Sequence, residues 1–331
     1  MNKVILLKKR PAGKPTLADF EFTSAAIPVP PSGHVLLKAL YVSVDPYLRG
    51  RMNDAKSYVP SFQVGQPIQS GIIAQVADSK HATFKKGDFV SGNLQWMQYQ
   101  VSDGKGLIKV DDKVSPLSSY LGVLGMTGLT AYLGLTEIGI PKPGETLVVS
   151  GAAGAVGSVV GQIGKIYGCT VVGITGSDEK AELLKSKFKF DHAINYKTKH
   201  DLKSAVRSAC PNGVDIYFDN VGGEISDAVL ANINKHARLP VCGAISMYNE
   251  TKMPMGPRLQ PLLLTKSATM TGFIVSDFST KFPEAFNQLA LWLKEGKLDY
   301  VETIVEGFEN IPQAFIDLFD GKNQGKMIVK I

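Results

Sequence analysis

Cysteine is scarce in this chain. There are three in 331 residues, Cys169, Cys210 and Cys242, odd in number, far apart and never in a C-x-x-C spacing. That excludes a disulfide framework and a four-thiolate structural zinc, and it reads as reduced thiols in a cytoplasmic protein. Histidine is nearly as rare. His34 and His81 are the only two before His192, neither stands in a metal-type spacing, and no cysteine precedes Cys169, so the first third lacks the donors of a catalytic zinc site and no metal is expected. No signal peptide is expected in the opening residues Met1 to Lys9, whose apolar stretch is too short for one and is followed by no small-residue cleavage site. The uncharged stretches 114–136 and 146–164 are long enough for a bilayer but dense in Gly, Ser and Thr. No membrane span is expected. A clustered basic stripe is absent too. The net charge of +6 comes from residues 1–120, with 15 Lys and Arg against 9 Asp and Glu, while residues 121–331 hold 21 of each. Scattered lysines of this kind give a mild positive field and no nucleic-acid signature.

What is present is the composition of an ordinary globular protein, 44% apolar and 20% charged. The length exceeds the usual ~100–200 residues of one domain and predicts two. The first ~120 residues carry short β-type runs at 35–44, 71–76 and 88–91, separated by Pro and Gly clusters, as in a compact, mostly β domain. After Pro141-Lys142-Pro143-Gly144 the texture changes. Strand-like runs at 146–150, 170–175, 192–196, 214–220, 238–244 and 269–275 alternate with helical patterns, which implies βαβ units and a doubly wound parallel sheet, an α/β fold. Residues 279–294 have the 3–4 apolar spacing of a surface helix, and the tail from Tyr300 reads as β again and is expected to rejoin the first domain.

The strand Leu147-Val148-Val149-Ser150 runs into Gly151-Ala152-Ala153-Gly154-Ala155-Val156-Gly157 and then a helix beginning near Ser158. The register of a G-x-G-x-x-G turn falls on 152, 154 and 157, with Ala152 replacing the first glycine. Glycines let the backbone approach a pyrophosphate while the helix N-terminus offers N–H groups, so a dinucleotide is the expected ligand. The second strand ends Gly173-Ile174-Thr175-Gly176-Ser177, small and neutral, with room for a 2′-phosphate instead of the acidic residue that holds a free ribose hydroxyl. Lys180 and Tyr196 are candidate phosphate partners, which favours NADPH, although Asp178-Glu179 beside them could cap the helix and Lys180 could be a solvated lysine.

Without metal or a catalytic histidine, hydride transfer is easiest to a carbon activated by conjugation. A hydroxyl donor beside the carbonyl oxygen then stabilises the enolate. Tyr248, just past the strand end at Val241-Cys242-Gly243-Ala244-Ile245-Ser246, suits that role. The Tyr248-x-x-x-Lys252 spacing also matches the Tyr/Lys pair of short-chain dehydrogenases, but Pro254 and Pro257 follow at once and favour a loop.

Several strings together resemble the zinc-independent medium-chain dehydrogenases/reductases, and among them the NADPH-dependent alkenal/enone double-bond reductases. They are Ser43-Val44-Asp45-Pro46-Tyr47-Leu48-Arg49-Gly50-Arg51-Met52, Gly128-Leu129-Thr130-Ala131-Tyr132, the run from Gly154 to Gln162, Phe218-Asp219-Asn220-Val221-Gly222-Gly223 and Gly307-Phe308-Glu309-Asn310. The resemblance implies a GroES-like substrate domain over 1–122, a Rossmann NADPH-binding domain over 123–295 and a segment 296–331 returning to the first, with the active site in the cleft. It implies that Gly154, Ala155, Val156 and Gly157 form the pyrophosphate turn and that Lys180 and Tyr196 hold the 2′-phosphate. It further implies that Asn220, Cys242, Gly243, Ala244, Ile245, Ser246, Tyr248, Phe273, Ile274, Val275 and Asn323 line the cofactor. Tyr248 is the expected catalytic residue, and Tyr47 and Tyr248 are expected to line the substrate pocket. A cytoplasmic homodimer is implied as well. Thr127 stands where many members carry proline, and the segments 248–260 and 277–281 are expected to shape the pocket. A quinone reductase of the same superfamily and a non-catalytic NADPH- or RNA-binding protein are the rival readings.

Overall fold

Strand β1 (Asn2–Leu7) pairs antiparallel with β2 (Phe20–Ala25), and its register is tied to a distant segment by Asn2, whose amide donates to Tyr99 O and accepts from Tyr99 N, both at 2.8 Å. The structure is a computed structural model in which residues 1–252 and 254–331 are described; Met253, inside the segment expected to shape the pocket, lies outside the described residues. The chain then runs through β3 (Val35–Ser43), α1 (Leu48–Arg51), β4 (Gln69–Ser79), β5 (Phe89–Gln95), β6 (Tyr99–Ser102) and β7 (Ile108–Val110). Next come α2 (Met126–Leu133), β8 (Thr146–Ser150), α3 (Gly157–Ile166), β9 (Thr170–Thr175), α4 (Asp178–Ser186), β10 (His192–Asn195), α5 (Leu202–Ala209) and β11 (Val214–Phe218). The remainder is α6 (Gly223–Leu230), β12 (Ile233–Val241), α7 (Gln260–Lys266), β13 (Thr269–Gly272), α8 (Phe282–Lys294), β14 (Glu302–Glu306), α9 (Ile311–Phe319) and β15 (Lys326–Lys330).

These elements form two units. The first takes residues 1–122, 302–323 and 327–331, and the second takes 123–301 and 324–326. In the first, a seven-stranded sheet has the order β14-β15-β3-β4-β5-β7, with β6 also on β3. Its core holds Trp96, fully buried, with Nε1 donating to Ser70 Oγ at 2.8 Å and its ring stacked 6.2 Å from Phe20. Buried Arg49 of α1 donates to Gly13 O at 2.9 Å, Pro11 O at 3.2 Å and Asn53 Oδ1 at 2.5 Å, fastening α1 to the loop before β2.

Two features differ from the sequence expectation. The tail from Tyr300 is not all β: α9 opens with Pro312 in its first turn and buries Ile311, Ala314, Phe315, Ile316 and Leu318, the 3–4 spacing of a helix face. β12 begins earlier, at Ile233, and a register irregularity against β11 with a positive φ of 64° at His236 breaks the pattern by which its first half would have been read.

In the second unit all six strands are parallel, in the order β10-β9-β8-β11-β12-β13. Alternation of side chains explains the double layer. Val148, Val172, Ile174 and Tyr217 pack with Val206 of α5 and Ile225 and Val229 of α6. On the other face Gly164 of α3 lies so close to Leu147 and Val171 that a Cβ there would meet them at 2.5 and 3.1 Å. With helices on both faces, strand order reverses between β8 and β11, where the C-terminal strand ends leave a crevice.

Candidate functional site

The C-terminal ends of the parallel strands are Ser150, Thr175, Asn195, Phe218, Val241 and Gly272. Every second-unit candidate for the cofactor follows one of these ends. After Ser150 the chain turns through Gly151, whose φ is +58°, and Gly154 N donates to Gly151 O at 3.0 Å. Gly157 opens α3 against this turn: a Cβ there would sit 2.5 Å from Gly151 O and 2.8 Å from Ala152 Cα, so the turn closes only around glycine. At Gly154 an added Cβ would meet only Gly151 O, at 3.2 Å. Among the described residues no recorded hydrogen bond uses the N–H of Ala155 or Val156, and they stand at the positive end of α3. Gly325 N donates to Ala153 O at 2.8 Å, which sets residues 324–326 beside the same turn.

The next strand ends gather cations. Ser177 is the N-cap of α4 and accepts from Lys180 N at 3.2 Å, so neither Asp178 nor Glu179 caps the helix. Asp178 is held elsewhere, accepting from Asn195 Nδ2 at 2.8 Å. Asn195 also accepts from Lys197 N at 3.1 Å and so shapes the turn carrying Tyr196, whose hydroxyl would lie 3.2 Å from a Cβ at Gly176. Burial first, and the ammonium of Lys197 second, press Lys180 below the usual lysine value. A site of this kind gains from an incoming anion. Lys197 and Asn195 were missed in the sequence; the only signal was their adjacency to Tyr196.

Beyond β11 the Asp219–Gly222 turn organises the segment that carries Tyr248. Asn220 N donates to Ser150 Oγ at 2.9 Å and its Nδ2 to Ser150 O at 2.8 Å. Cys242 N and Gly243 N donate to Asp219 O at 2.8 and 3.1 Å, Ile245 N to Asn220 O at 3.4 Å and Ser246 N to Val221 O at 3.1 Å. The Tyr248 hydroxyl accepts from Ala244 N at 3.2 Å. Burial is the largest cause that raises the Tyr248 phenol above its ordinary value, opposed by the Ala244 N–H and assisted by Cys242 and Asp219. Burial likewise pushes the Cys242 thiol up to about 12, so it is a neutral packing group. Residues 245–247 form a single 3-10 turn, and no helix carries Tyr248 and Lys252 together.

Phe273 stacks edge-on against Phe218, ring centres 6.2 Å apart, and its N–H meets Val241 O at 3.4 Å, so the half-buried run Phe273-Ile274-Val275 follows β13 at the same sheet edge. Tyr47 and Asn323 belong to the first unit. Tyr47 leads into α1, and burial, with the Asp45 charge adding, pushes its phenol far up. Among the described residues no three His, Cys, Asp or Glu side chains are grouped to hold a metal ion.

The tightness at Gly157 generates a direct expectation. Gly157→Ala lowers stability by about 1–3 kcal/mol, because backbone atoms and not flexible side chains meet the new methyl. Urea unfolding of the purified variant checks this, and an unchanged midpoint would show that the turn has slack.

Comparison with known proteins follows the same division. A family described as an N-terminal domain of oxidoreductase matches residues 3–110, and one described as zinc-binding dehydrogenase matches residues 155–292. The chain is 57% identical to YfmJ of Bacillus subtilis, covering 99% of this chain and 97% of that protein. It is 43% identical to the NADPH-dependent curcumin reductase of Escherichia coli, covering 100% of this chain and 97% of that protein. The crystal structure of CurA from Vibrio vulnificus in complex with NADPH, 46% identical, superposes with a TM-score of 0.95 over 99% of this chain and 98% of that one. On full-length identity of this order, the chain belongs to the medium-chain dehydrogenases/reductases, in their family of NADPH-dependent alkenal/enone double-bond reductases.

Proposed function

We propose that this protein reduces the C=C bond of α,β-unsaturated aldehydes and ketones with NADPH, hydride going to the β-carbon. The observation that carries the reading is the placement of a half-buried, protonated Tyr248 hydroxyl on the same sheet edge as the Gly-rich turn and the Lys180 cluster. The relative that reduces curcumin and the related structure holding NADPH support it.

The residues fit NADPH. The N–H groups of Ala155 and Val156 and the open side of Gly154 suit a pyrophosphate. Lys180, Tyr196 and, beyond the sequence reading, Lys197 suit the 2′-phosphate, and Asp178 is already engaged by Asn195 and does not compete. Bound there, NADPH supplies the hydride. The chain's own part begins at Tyr248. Because Ala244 N–H occupies one lone pair of the phenol oxygen, the phenol proton remains for the substrate carbonyl oxygen, and accepting that bond makes it a stronger donor. As hydride adds to the β-carbon, charge moves onto that oxygen, and the tyrosine hydrogen bond stabilises the enolate. Protonation at the α-carbon, from Tyr248 or water, completes the addition of one hydride and one proton. Tyr47 lines the substrate pocket in this reading. The first unit serves the substrate and the second the cofactor in this reading. A homodimer in the cytoplasm completes the proposal. It is supported by the family resemblance, by the free thiols, by α7, which buries no residue and exposes Leu264, and by β13, the last strand in its sheet's order.

The direct test follows NADPH absorbance with a 2-alkenal, an enone, a quinone and a saturated aldehyde, repeated with NADH. Loss with the alkenal and enone, none with the saturated aldehyde and preference for NADPH are expected. Quinone-only turnover would move the protein to the sister reductases, and binding without turnover would leave a non-catalytic protein. Lys180→Ala should weaken NADPH relative to NADH by about ten- to a hundredfold, the worth of one charge-assisted hydrogen bond; an unchanged ratio removes the assignment. Tyr248→Phe should lower kcat by about a hundredfold or more with NADPH affinity nearly intact. In the wild-type enzyme the protonated phenol is the active form and its titration is raised, so kcat should show no tyrosine limb below pH 10.0, the ordinary tyrosine value.

A further inference from the structure

Asp219 is buried in the second unit, and no Lys, Arg or His forms a recorded ion pair with it among the described residues. Its carboxylate is nevertheless saturated. Oδ1 accepts from Ser150 Oγ, Tyr217 OH, Val221 N and Gly222 N, each at 2.9 Å, and Oδ2 accepts from Ser226 Oγ. An ionised carboxylate has two accepting oxygens and no proton of its own, which suits it to this many donors. Two of them, the N–H groups of Val221 and Gly222, fix the turn after β11, and a third, on Ser150, joins that turn to the end of β8. The carbonyls of Asp219, Asn220 and Val221, so aligned, are the ones that receive the N–H groups of Cys242, Gly243, Ile245 and Ser246. Ser246 Oγ adds a further bond to Val221 O at 2.6 Å. The segment bearing Tyr248 therefore hangs on a turn whose shape is set by one side chain.

We infer that Asp219 is a positioning residue for the reduction: it acts through the Asp219–Gly222 turn to hold the Tyr248 hydroxyl in place, and touches neither substrate nor cofactor itself. This rests on the reading of Tyr248 as the enolate-stabilising donor. The geometry also distinguishes acceptor placement from charge. In Asp219→Asn, Oδ1 keeps its four donors while Nδ2 donates to Ser226 Oγ, and Ser226 in turn donates to Tyr217 OH, 2.9 Å away. Asp219→Ala removes every acceptor and strands those donors.

The test is a double-mutant cycle in the full-length protein with NADPH and a 2-alkenal, over wild type, Asp219→Ala, Tyr248→Phe and the double variant, with Asp219→Asn beside them. Asp219→Ala should lower kcat by about tenfold or more while changing the KM for the alkenal less, and Asp219→Asn should recover most of the loss. In the Tyr248→Phe background Asp219→Ala should cost no further kcat, because its route to the reaction is gone. Losses that multiply across the cycle, an Asp219→Asn as damaging as Asp219→Ala, or an Asp219→Ala with wild-type kcat would each overturn the inference. If Asp219→Ala does not fold, Ser150→Ala, which removes one donor to Oδ1 and the acceptor of Asn220 N, takes its place in the cycle, with a smaller loss expected and the same coupling to Tyr248 required. Wild-type protein that fails to reduce the alkenal would sink the proposed function and this inference with it; turnover with an uncoupled cycle sinks the inference alone.

Discussion

A carboxylate without a cation, deep in a parallel sheet, is tolerable only if donors replace the water it lost. Asp219 meets that condition with side chains from β8, β11 and α6 and with the backbone of its own turn. The consequence reaches beyond the residue. Three neighbouring strands, β8, β11 and β12, end in different turns, and Asp219 joins all three, through its carboxylate to Ser150 and through its backbone to Pro240, Cys242 and Gly243. The Gly-rich turn on one side and the Tyr248 segment on the other inherit their spacing from that junction.

The same sheet edge sorts its chemistry by strand. The β8 end offers the N–H groups of Ala155 and Val156, which make no hydrogen bond among the described residues, the β9 and β10 ends offer cations, and the β12 end offers a neutral hydroxyl. Each is suited to a different part of a dinucleotide and its reacting partner, and none needs a long side chain to reach across the sheet. Precision comes from backbone turns, which is why the glycines at 151 and 157 matter to this site although they carry no side chain.

Much of this was legible in the sequence because it is local. The strand at Thr146–Ser150, the glycines after it and the helix from Gly157 are contiguous, and the alternation that follows dictates a parallel sheet. The ends of strands could be read to within a few residues, so candidates placed just after them fell on one edge. What was not legible is non-local. β1 is fixed by Asn2 reaching Tyr99, β12 is broken by a positive φ at His236, and Lys197 matters only because β10 lies beside β9. Asp219 stood in a conspicuous string, but its work depends on Ser150, 69 residues away in sequence, which no spacing announces. In α9 the helix spacing was present and was outweighed by the β-like residues on either side of it.

The return of the chain has a consequence for how the molecule is made. β15 lies between β14 and β3 in the seven-stranded sheet, so a strand from the last few residues fills a place inside a sheet that the first residues begin. During synthesis the amino-terminal strands emerge early, β6 covers Val35–Lys38 of β3, and the Tyr41–Ser43 end of that flank waits unpaired until the whole intervening parallel-sheet unit has been produced. An exposed, apolar strand edge of that kind is an invitation to wrong pairing. The second unit, continuous but for residues 324–326, can take shape while the first is still incomplete. A truncation of only the last strand would therefore strike the unit that was translated first.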